Sequence, residues 1–336
     1  MASMELPIGL GGAELNRERR LAPALPVDNK VLWVNKEVEL PFRLEEGSRA
    51  NIGLFLTAQA GEEIDRAIKL ENNLLHGRSA LLGRIIFKDK SGRLYRDIDL
   101  KGVGCFESES NRVIGPRAAL KPRGLSDSPR GICLKEEAIA DRNFSEYFLK
   151  NGLRTCRVLA ILELKKIAGD DEVIPVALAK KRGYMKKNEK PVIEVRGWVT
   201  KARIDNALDD GGKYIRDAIS LVAQEIGINP AEFTIEAYLE WFARTLGEQI
   251  GRLHKLGFTH NNLIEHNITL DCRIIDFDTV RKIPVWGDKK GIEFDRHWAR
   301  RGLRHLIQEI GGAEIALVQD DYEELFQAGY EESLKR

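Results

Sequence analysis

The sequence lacks several features that identify common functional classes. Its four cysteines form no CxxC pair and no zinc-ligand spacing, so reduced and mostly buried thiols are expected. They are Cys105, Cys133, Cys156 and Cys272. No apolar run approaches the roughly 18 residues that span a bilayer, and the first residues contain no apolar segment of signal-peptide type. These absences predict a soluble, cytoplasmic protein with no membrane partner.

An excess of charge of one sign is also absent. Lys and Arg number 53 against 52 Asp and Glu, which gives a formal net charge of +1 and predicts no nucleic-acid partner. The 336 residues are 43% hydrophobic and 31% charged, an ordinary globular composition. A chain of this length is too large for one small core and favours two lobes or domains.

The apolar periodicity changes along the chain. Short apolar runs typical of strands fill the part from about 50 to 200. They are Asn51–Thr57, Ala80–Phe87, Leu94–Leu100, Arg157–Leu164, Val173–Leu178 and Pro191–Val199. Lys88–Arg93, with its Asp, Ser and Gly, predicts a hairpin turn. One helical pattern, Glu136–Asn151, interrupts the strands and ends at Gly152.

Helical spacing dominates after residue 200, over Tyr214–Ile226, Phe233–Leu256 and about 293 to 334. The sequence therefore predicts an α+β fold with a strand-rich first lobe over 49–200 and a helical second lobe over 201–336. Residues 1–48 are predicted to form an extended arm, because three prolines and a Gly-Gly pair fall in the first 30 residues.

The most informative segment is Gly257–Val280, which follows the long predicted helix. It places His260, Asn262 and Asn267 in an HxNxxxxN pattern, and Asp276 comes nine residues after Asn267. Mg²⁺ prefers oxygen ligands and binds through one or two protein groups plus phosphates and water. The amide of Asn267 and the carboxylate of Asp276 are therefore the predicted metal ligands.

This pattern resembles the catalytic and metal-binding loops of the protein-kinase-like superfamily. The resemblance implies a bilobal fold that binds ATP in its cleft together with Mg²⁺ or Mn²⁺. Typical kinases have a catalytic Asp where this chain has Asn262, and an amide cannot accept a proton. Asp278 also stands where a glycine is usual. Ordinary kinase chemistry by that route is therefore not expected.

Other segments carry a narrower resemblance. Ile98–Gly104 reads IDLKGVG, Ser145–Ala160 contains Ser-Glu followed by GLRTCRVLA, and the pair His266-Asn267 follows in the loop. In this order and spacing the chain is similar to selenoprotein O, a kinase-like family that transfers AMP to protein hydroxyls. The family has an Asp-Asn pair where this chain has His266-Asn267. A neutral imidazole has a pKa near 6.5 and can act as a base, so His266 is the candidate general base.

The resemblance also implies nucleotide contacts. Lys101 would contact ATP phosphates, and Asp141 takes the place of the helix Glu that pairs with that lysine; Glu137, one turn earlier, is the alternative partner. The segment beginning His76-Gly77-Arg78 resembles a glycine-containing part of the nucleotide-binding lobe.

Arg196 and Arg203 match two arginines that hold the nucleotide with its α-phosphate towards the acceptor. The preferred function is AMP transfer to a hydroxyl of a protein substrate. A kinase-like phosphotransferase and an inactive, ATP-binding pseudokinase are the alternatives. A solvated Lys101, surface ion pairs of the two arginines, and a His266 packed in its loop are the purely structural alternatives. The sequence determines neither the acceptor nor the oligomeric state.

Overall fold

The computed structural model describes residues 21–56, 68–72, 78–104, 107–109, 112–114, 131–169, 172–285, 287–311 and 319–335. Gly77 and Cys105 lie outside these ranges. The chain divides into two compact units. Unit 1 comprises Met1–Arg142 and Arg157–Gly197, and unit 2 comprises Asn143–Cys156 and Trp198–Arg336.

Unit 1 is built on an antiparallel sheet, with strands in the order β2-β10-β13-β6-β5-β4-β1-β3 and with β9 paired to β13. The strands of the sheet are β1 (Leu21–Pro26), β2 (Asn29–Val34), β3 (Leu54–Leu56), β4 (Ile68–Asn72), β5 (Ser79–Lys88), β6 (Leu94–Lys101), β9 (Cys133–Leu134), β10 (Arg157–Leu164) and β13 (Pro191–Trp198). Two separate hairpins are β7 (Glu107–Glu109) with β8 (Arg112–Ile114), and β11 (Lys166–Gly169) with β12 (Glu172–Pro175).

The hairpin between β5 and β6 confirms the predicted turn. Gly92 N donates to the carbonyl oxygen of Asp89 at 2.9 Å. The Asp89 carboxylate also accepts from Ser91 and Arg93 in the turn and from Arg157 on β10. Burial alone would raise the pKa of Asp89, but these hydrogen bonds and the Arg157 charge hold it below its usual value. The turn therefore links the hairpin to β10.

Two parts of unit 1 differ from the sequence prediction. The first two strands, β1 and β2, lie within the predicted arm, and they pair with β3, β4 and β10. The prolines of LAPALP indicated an irregular segment, but β1 pairs with β4 over Leu21–Ala24 and with β3 over Ala24–Pro26, so each proline has a partner strand on one side only. The predicted strand Val173–Leu178 ends at Pro175, and helix α2 (Val176–Lys181) follows. Its Ala and Lys residues favour a helix over a strand.

Unit 2 contains the helices α3 (Asp209–Ile226), α4 (Ile235–Lys255), α5 (Lys289–Ile310) and α6 (Gln319–Lys335), and the short hairpin β14 (Phe258–Thr259) with β15 (Arg281–Lys282). Helix α1 (Lys135–Lys150) is divided, since residues from Asn143 onward count with unit 2. Thr234 caps α4 by accepting from Ala237 N at 3.2 Å. Gly257 follows α4 with a φ of 84°, where glycine is favoured.

Helices α4 and α6 approach closely in the core of unit 2. A Cβ atom at Gly247 would lie 2.0 Å from the carbonyl oxygen of Phe326, so only glycine fits there. Phe242, Leu246 and Phe326 are fully buried in this core. The packing fixes the end of α4, after which the loop of the predicted metal site begins.

The predicted α+β class, strand-rich first and helical second, is confirmed. Unit 2 resumes at Trp198, close to the predicted lobe boundary at 200, but it also includes 143–156, which the sequence assigned to the first lobe. Phe144 and Phe148 explain this difference, because their rings pack against the core of unit 2. Within the described ranges, no helix combines the length and apolar character that crossing a bilayer requires.

Candidate functional site

The loop after β14 is anchored by one buried carboxylate. Asp295 on α5 accepts hydrogen bonds from the backbone N–H groups of His260 and Asn261, both at 2.7 Å. The His260 ring is also 2.9 Å from the carbonyl oxygen of Ile275. His260 therefore has a structural role and holds the first part of the loop against its last part.

The loop brings the two predicted metal ligands together. The backbone N–H of Ile275 donates to the carbonyl oxygen of Asn267 at 3.2 Å, and Ile268 and Ile274 form a β-bridge. Asp276 therefore directly follows a residue that is bonded to Asn267. Its φ is 67°, a left-handed conformation that costs a non-glycine residue about 1–3 kcal/mol. Strained backbone of this kind clusters at functional sites.

The amide of Asn267 is oriented by one hydrogen bond. Its Nδ2 donates to the backbone oxygen of Asn262 at 2.8 Å. The other amide atom, Oδ1, is buried and has no hydrogen-bond partner among the described residues. An unsatisfied buried acceptor costs about 1–3 kcal/mol, so this oxygen is suited to a group that is bound from outside the protein.

These residues fit a Mg²⁺ ion that is bound together with phosphates. An amide oxygen and a carboxylate are hard ligands of the type that Mg²⁺ selects. Within the described ranges, no cluster of three or more His, Cys, Asp or Glu side chains could hold a metal. Asn267 and Asp276 would therefore need oxygens from a nucleotide and from water to complete the coordination.

The predicted catalytic residues lie in the same loop. The His266 side chain is exposed, and its backbone oxygen accepts a hydrogen bond from the Arg203 guanidinium. Arg203 N also donates to Asn206 Oδ1 at 3.2 Å. Asn262 is half-buried, and its backbone oxygen is the group that orients Asn267. Arg203 and Asn262 thus position the loop through the backbone, whereas the imidazole of His266 faces solvent.

In unit 1, Lys101 lies at the end of β6 beside two carboxyl groups. Its Nζ is 2.6 Å from Asp141 Oδ2 and 3.7 Å from Glu194 Oε2, and all three side chains are buried. Glu137 instead pairs with Arg78 at 3.0 Å. The structure therefore selects Asp141 over Glu137 as the partner of Lys101, and Lys101 is not a solvated strand-end lysine.

Arg196 is paired within the sheet. Its Nε and Nη2 donate to the two oxygens of Asp99 at 2.9 and 2.7 Å, and both side chains are buried. The pair links β13 to the neighbouring strand β6. Arg196 is thus a member of an ion pair, as the structural alternative held, but of a buried one instead of a surface one.

The cluster around Lys101 contains a second acid that the sequence prediction missed. Neither oxygen of Glu194 has a hydrogen-bond partner among the described residues. Burial, together with the nearby Asp141 charge, raises the pKa of Glu194 to about 8. Burial therefore favours the protonated form of Glu194 at neutral pH.

The two glycines after Lys101 are explained by the backbone conformation of the turn that follows β6. Gly102 and Gly104 have φ values of 94° and 97°. A Cβ atom on Gly102 would lie 2.5 Å from the carbonyl oxygen of Val192. These glycines permit the turn after β6 and do not by themselves indicate a phosphate site.

The thiol prediction holds for the cysteines that the structure describes. Cys133, Cys156 and Cys272 are free and buried. Burial raises the pKa of Cys133 and of Cys272 well above the usual thiol value, so both stay protonated at neutral pH.

Asp295, Asp99 and Glu194 are site residues that the sequence did not reveal. Asp295 lies on the buried face of α5 together with Ala299 and Gly302. An acid on the otherwise apolar face of a helix is a sequence signal that could have identified it as a buried polar residue. Asp99 and Lys101 lie two residues apart on β6, and Glu194 and Arg196 lie two residues apart on β13. Only the sheet register places the acid of one strand beside the cation of the other.

Comparisons with known proteins add little to this geometry. No protein-family model matches the chain. No curated protein matches it either. Among solved structures, the chain is similar to the crystal structure of a Toxoplasma gondii specific rhoptry antigen kinase domain, with 9% identity and a TM-score of 0.35 over 79% of this chain and 76% of that one. A likeness at this TM-score carries no conclusion about activity, and a functional assignment rests on the chain's own residues.

Proposed function

We propose that this chain is an ATP- and Mg²⁺-dependent transferase of the protein-kinase-like type, and that it moves AMP to a hydroxyl group of a protein. The observation that carries the proposal is the loop in unit 2. There the buried Oδ1 of Asn267 has no hydrogen-bond partner among the described residues, and Asp276 adjoins it in a strained conformation. Both features cost folding free energy, and a metal bound together with a nucleotide would offset that cost.

The chain's own residues would act as follows. Asn267 and Asp276 would hold the metal, which neutralises phosphate charge when it is bound. The resemblance to selenoprotein O assigns Lys101 to the phosphates, and its hydrogen bond to Asp141 fixes the position of the ammonium group. The acceptor oxygen would bond to the α-phosphorus while the bond to pyrophosphate breaks. An unprotonated ring nitrogen of His266 would take the hydroxyl proton.

A second candidate is phosphoryl transfer. The resemblance assigned Arg196 and Arg203 to a nucleotide whose α-phosphate faces the acceptor. In the structure, however, Asp99 binds Arg196 and the backbone oxygen of His266 binds Arg203. If neither arginine reaches a phosphate, the γ-phosphate could face the acceptor in the ordinary way. Phosphoryl transfer needs mainly positioning and charge stabilisation. Asn262 in place of the usual catalytic Asp therefore does not exclude it.

The test uses ATP labelled at either the α- or the γ-phosphate, incubated with the full chain, Mg²⁺ or Mn²⁺, and a mixture of proteins as acceptors. AMP transfer predicts incorporation of the α-label only, with release of pyrophosphate. Asp276→Ala should abolish it, whereas the matched control Asp278→Ala, at an exposed carboxylate two residues on, should retain it.

The other outcomes decide between the alternatives. Incorporation of the γ-label with release of ADP would replace AMP transfer by phosphoryl transfer. Metal-dependent ATP binding with no incorporation of either label would favour the inactive, nucleotide-binding pseudokinase. Failure of ATP to bind at all would refute the proposal as a whole.

A further inference from the structure

Helix α5 carries an exposed row of basic and aromatic side chains. Lys290, Phe294, His297 and Arg301 are exposed and recur at intervals of four, three and four residues, so they share one side of the helix. Trp298 adjoins this row and is half-buried. The five residues together are called the α5 ridge. Asp295 and Ala299, on the opposite side of the helix, are fully buried.

The ridge is internally organised. The rings of Phe294 and His297 lie 5.9 and 5.7 Å from the ring of Trp298, and the Arg301 guanidinium stacks 4.6 Å above that ring. Phe294 is 43% exposed. Aromatic and Arg side chains held in this way expose contact area at low entropic cost, and these residue types are enriched at protein interfaces.

The ridge adjoins the loop of the candidate base. Arg301 Nε is 3.4 Å from the carboxylate of Glu265, the residue immediately before His266. The next residue, Gly302, also lies against Glu265, since a Cβ atom there would be 3.7 Å from Glu265 Cγ, an ordinary contact distance. His266 directly follows Glu265 and is exposed, so this contact connects the ridge to the segment that carries the candidate base.

The surroundings of the ridge are basic. Among the described residues between 277 and 304, five exposed side chains are cationic and two are acidic. The cations are Arg281, Lys282, Lys289, Lys290 and Arg301, and the acids are Asp278 and Glu293. Arg301 is already paired with Glu265, so Lys290, with Lys289 beside it in the chain, is the ridge cation that would meet a negatively charged partner.

We propose that the α5 ridge is the docking surface for the acceptor protein, and that it takes an acidic segment with an aromatic or large apolar side chain beside the reacting hydroxyl. The aromatic side chain would pack on Phe294 and Trp298. The acidic side chains would face Lys290 and its basic neighbours. This inference rests on the proposed function, because it takes His266 as the group that meets the hydroxyl.

The test measures binding separately from catalysis. Fluorescein-labelled peptides with a central Ser, acidic flanks and one Phe are titrated with the full chain, and the anisotropy gives Kd. Matched peptides replace the acids by Lys or the Phe by Ser. The acidic, Phe-containing peptide should bind at least about tenfold more tightly than either control. The affinity should fall as salt rises, because the interaction is partly electrostatic.

Variants locate the surface. Phe294→Ser and Lys290→Glu should each weaken the binding of that peptide, and the double variant should weaken it at least about tenfold. Leu334→Ser is the matched control at another apolar side chain that is 43% exposed, and Lys335→Glu is the matched charge control; both should leave Kd unchanged. Circular dichroism verifies that each variant is folded.

The outcomes separate this inference from the proposed function. Peptide binding that depends on the ridge, without AMP transfer, would support the surface and refute the transferase. AMP transfer to proteins with the same KM in the ridge variants would support the transferase and refute the surface. Equal binding of all three peptides, or tighter ridge-dependent binding of an oligonucleotide or of phosphatidylserine vesicles, would also overturn the surface proposal.

Discussion

The cations Lys101 and Arg196 of unit 1 and the amide of Asn267 in unit 2 differ in how their polar groups are satisfied. In unit 1, Lys101 and Arg196 are bound by the carboxylates of Asp141 and Asp99 within the protein. In unit 2, the Oδ1 of Asn267 is buried without a hydrogen-bond partner among the described residues. An internal ion pair is satisfied whether or not a ligand is bound and is costly to break, whereas an unsatisfied oxygen gains a partner only when a ligand arrives. Changes in unit 1 should therefore affect stability first, and changes in the loop of unit 2 should affect binding first.

The largest expected effect is in unit 1. Lys101→Met should lower the free energy of unfolding by about 3–5 kcal/mol, because it leaves Asp141 as a buried and uncompensated charge. Urea unfolding followed by tryptophan fluorescence measures this. Lys150→Met, on an exposed part of α1, is the control and should change stability by less than about 0.5 kcal/mol. A loss below about 1 kcal/mol for Lys101→Met would mean that the pair contributes little to the fold.

The second largest effect is expected for Asp295, the carboxylate that anchors the loop after β14. Asp295→Ala removes the acceptor of two backbone N–H groups, those of His260 and Asn261, and should cost about 2–4 kcal/mol. Asp295→Asn keeps one acceptor oxygen and should lose about half as much. Thermal and urea unfolding measure both losses, with the exposed Glu293→Ala as the neutral control. Equal stability of Asp295→Ala and the parent chain would show that solvent replaces the carboxylate.

Replacement of Asp276, the predicted metal ligand, should weaken ATP binding more than it lowers stability. Asp276→Asn should weaken metal-dependent ATP binding at least about tenfold, which is about 1.4 kcal/mol, while the unfolding free energy stays nearly constant. Isothermal titration in Mg²⁺ and in EDTA isolates the metal-dependent part. Asp278→Asn should leave it intact. An Asp276→Asn variant that loses stability but not metal dependence would reverse the proposed contrast between the units.

The smallest effect concerns the protonation of Glu194. Because its pKa is raised to about 8 from 4.5, the folded chain holds one more proton than the unfolded chain between these pH values. This group's contribution to stability is complete below pH 4.5 and is lost as pH rises towards 8. Glu194→Gln should remove this dependence, a change in slope of about 1 kcal/mol per pH unit.

Urea unfolding at pH 6, 7 and 8 measures the slope for both chains. Gln cannot titrate and fills nearly the same volume, so the variant should be relatively more stable as the pH rises. The exposed Glu240→Gln is the control and should leave the slope unchanged. Parallel slopes for Glu194→Gln and the parent chain would show that Glu194 is ionised in the folded state at neutral pH.

Much of the fold was predictable because the periodicity of the sequence is strong. The hairpin over Lys88–Arg93 and the start of α4 at Thr234 follow from turn and capping residues that act locally. The strand β1 was missed because its prolines obscure the pattern. The strand β2 was missed because its pairing with β10, which is distant in the chain, cannot be read from local sequence. Helix α2 was missed because a short apolar run is ambiguous between strand and helix.

The candidate site was predictable to a different degree in each unit. The spacing of Asn267 and Asp276 in one loop indicated that they are neighbours, because few residues separate them. The choice between Asp141 and Glu137 as the partner of Lys101 could not be made from spacing, since both face the same side of α1 one turn apart. Asp295 lay outside the motif altogether.

The sequence by itself determined the α+β class, the order of the strand-rich and helical parts, and the residues of the loop after α4. These properties follow from local patterns, in which turn, cap and periodic residues act over a few positions. Only the tertiary structure decided which carboxylates meet Lys101 and Arg196, which amide atom of Asn267 remains without a partner, and which side of α5 is exposed. Those properties depend on contacts between residues far apart in the chain, where burial and strand register determine each partner.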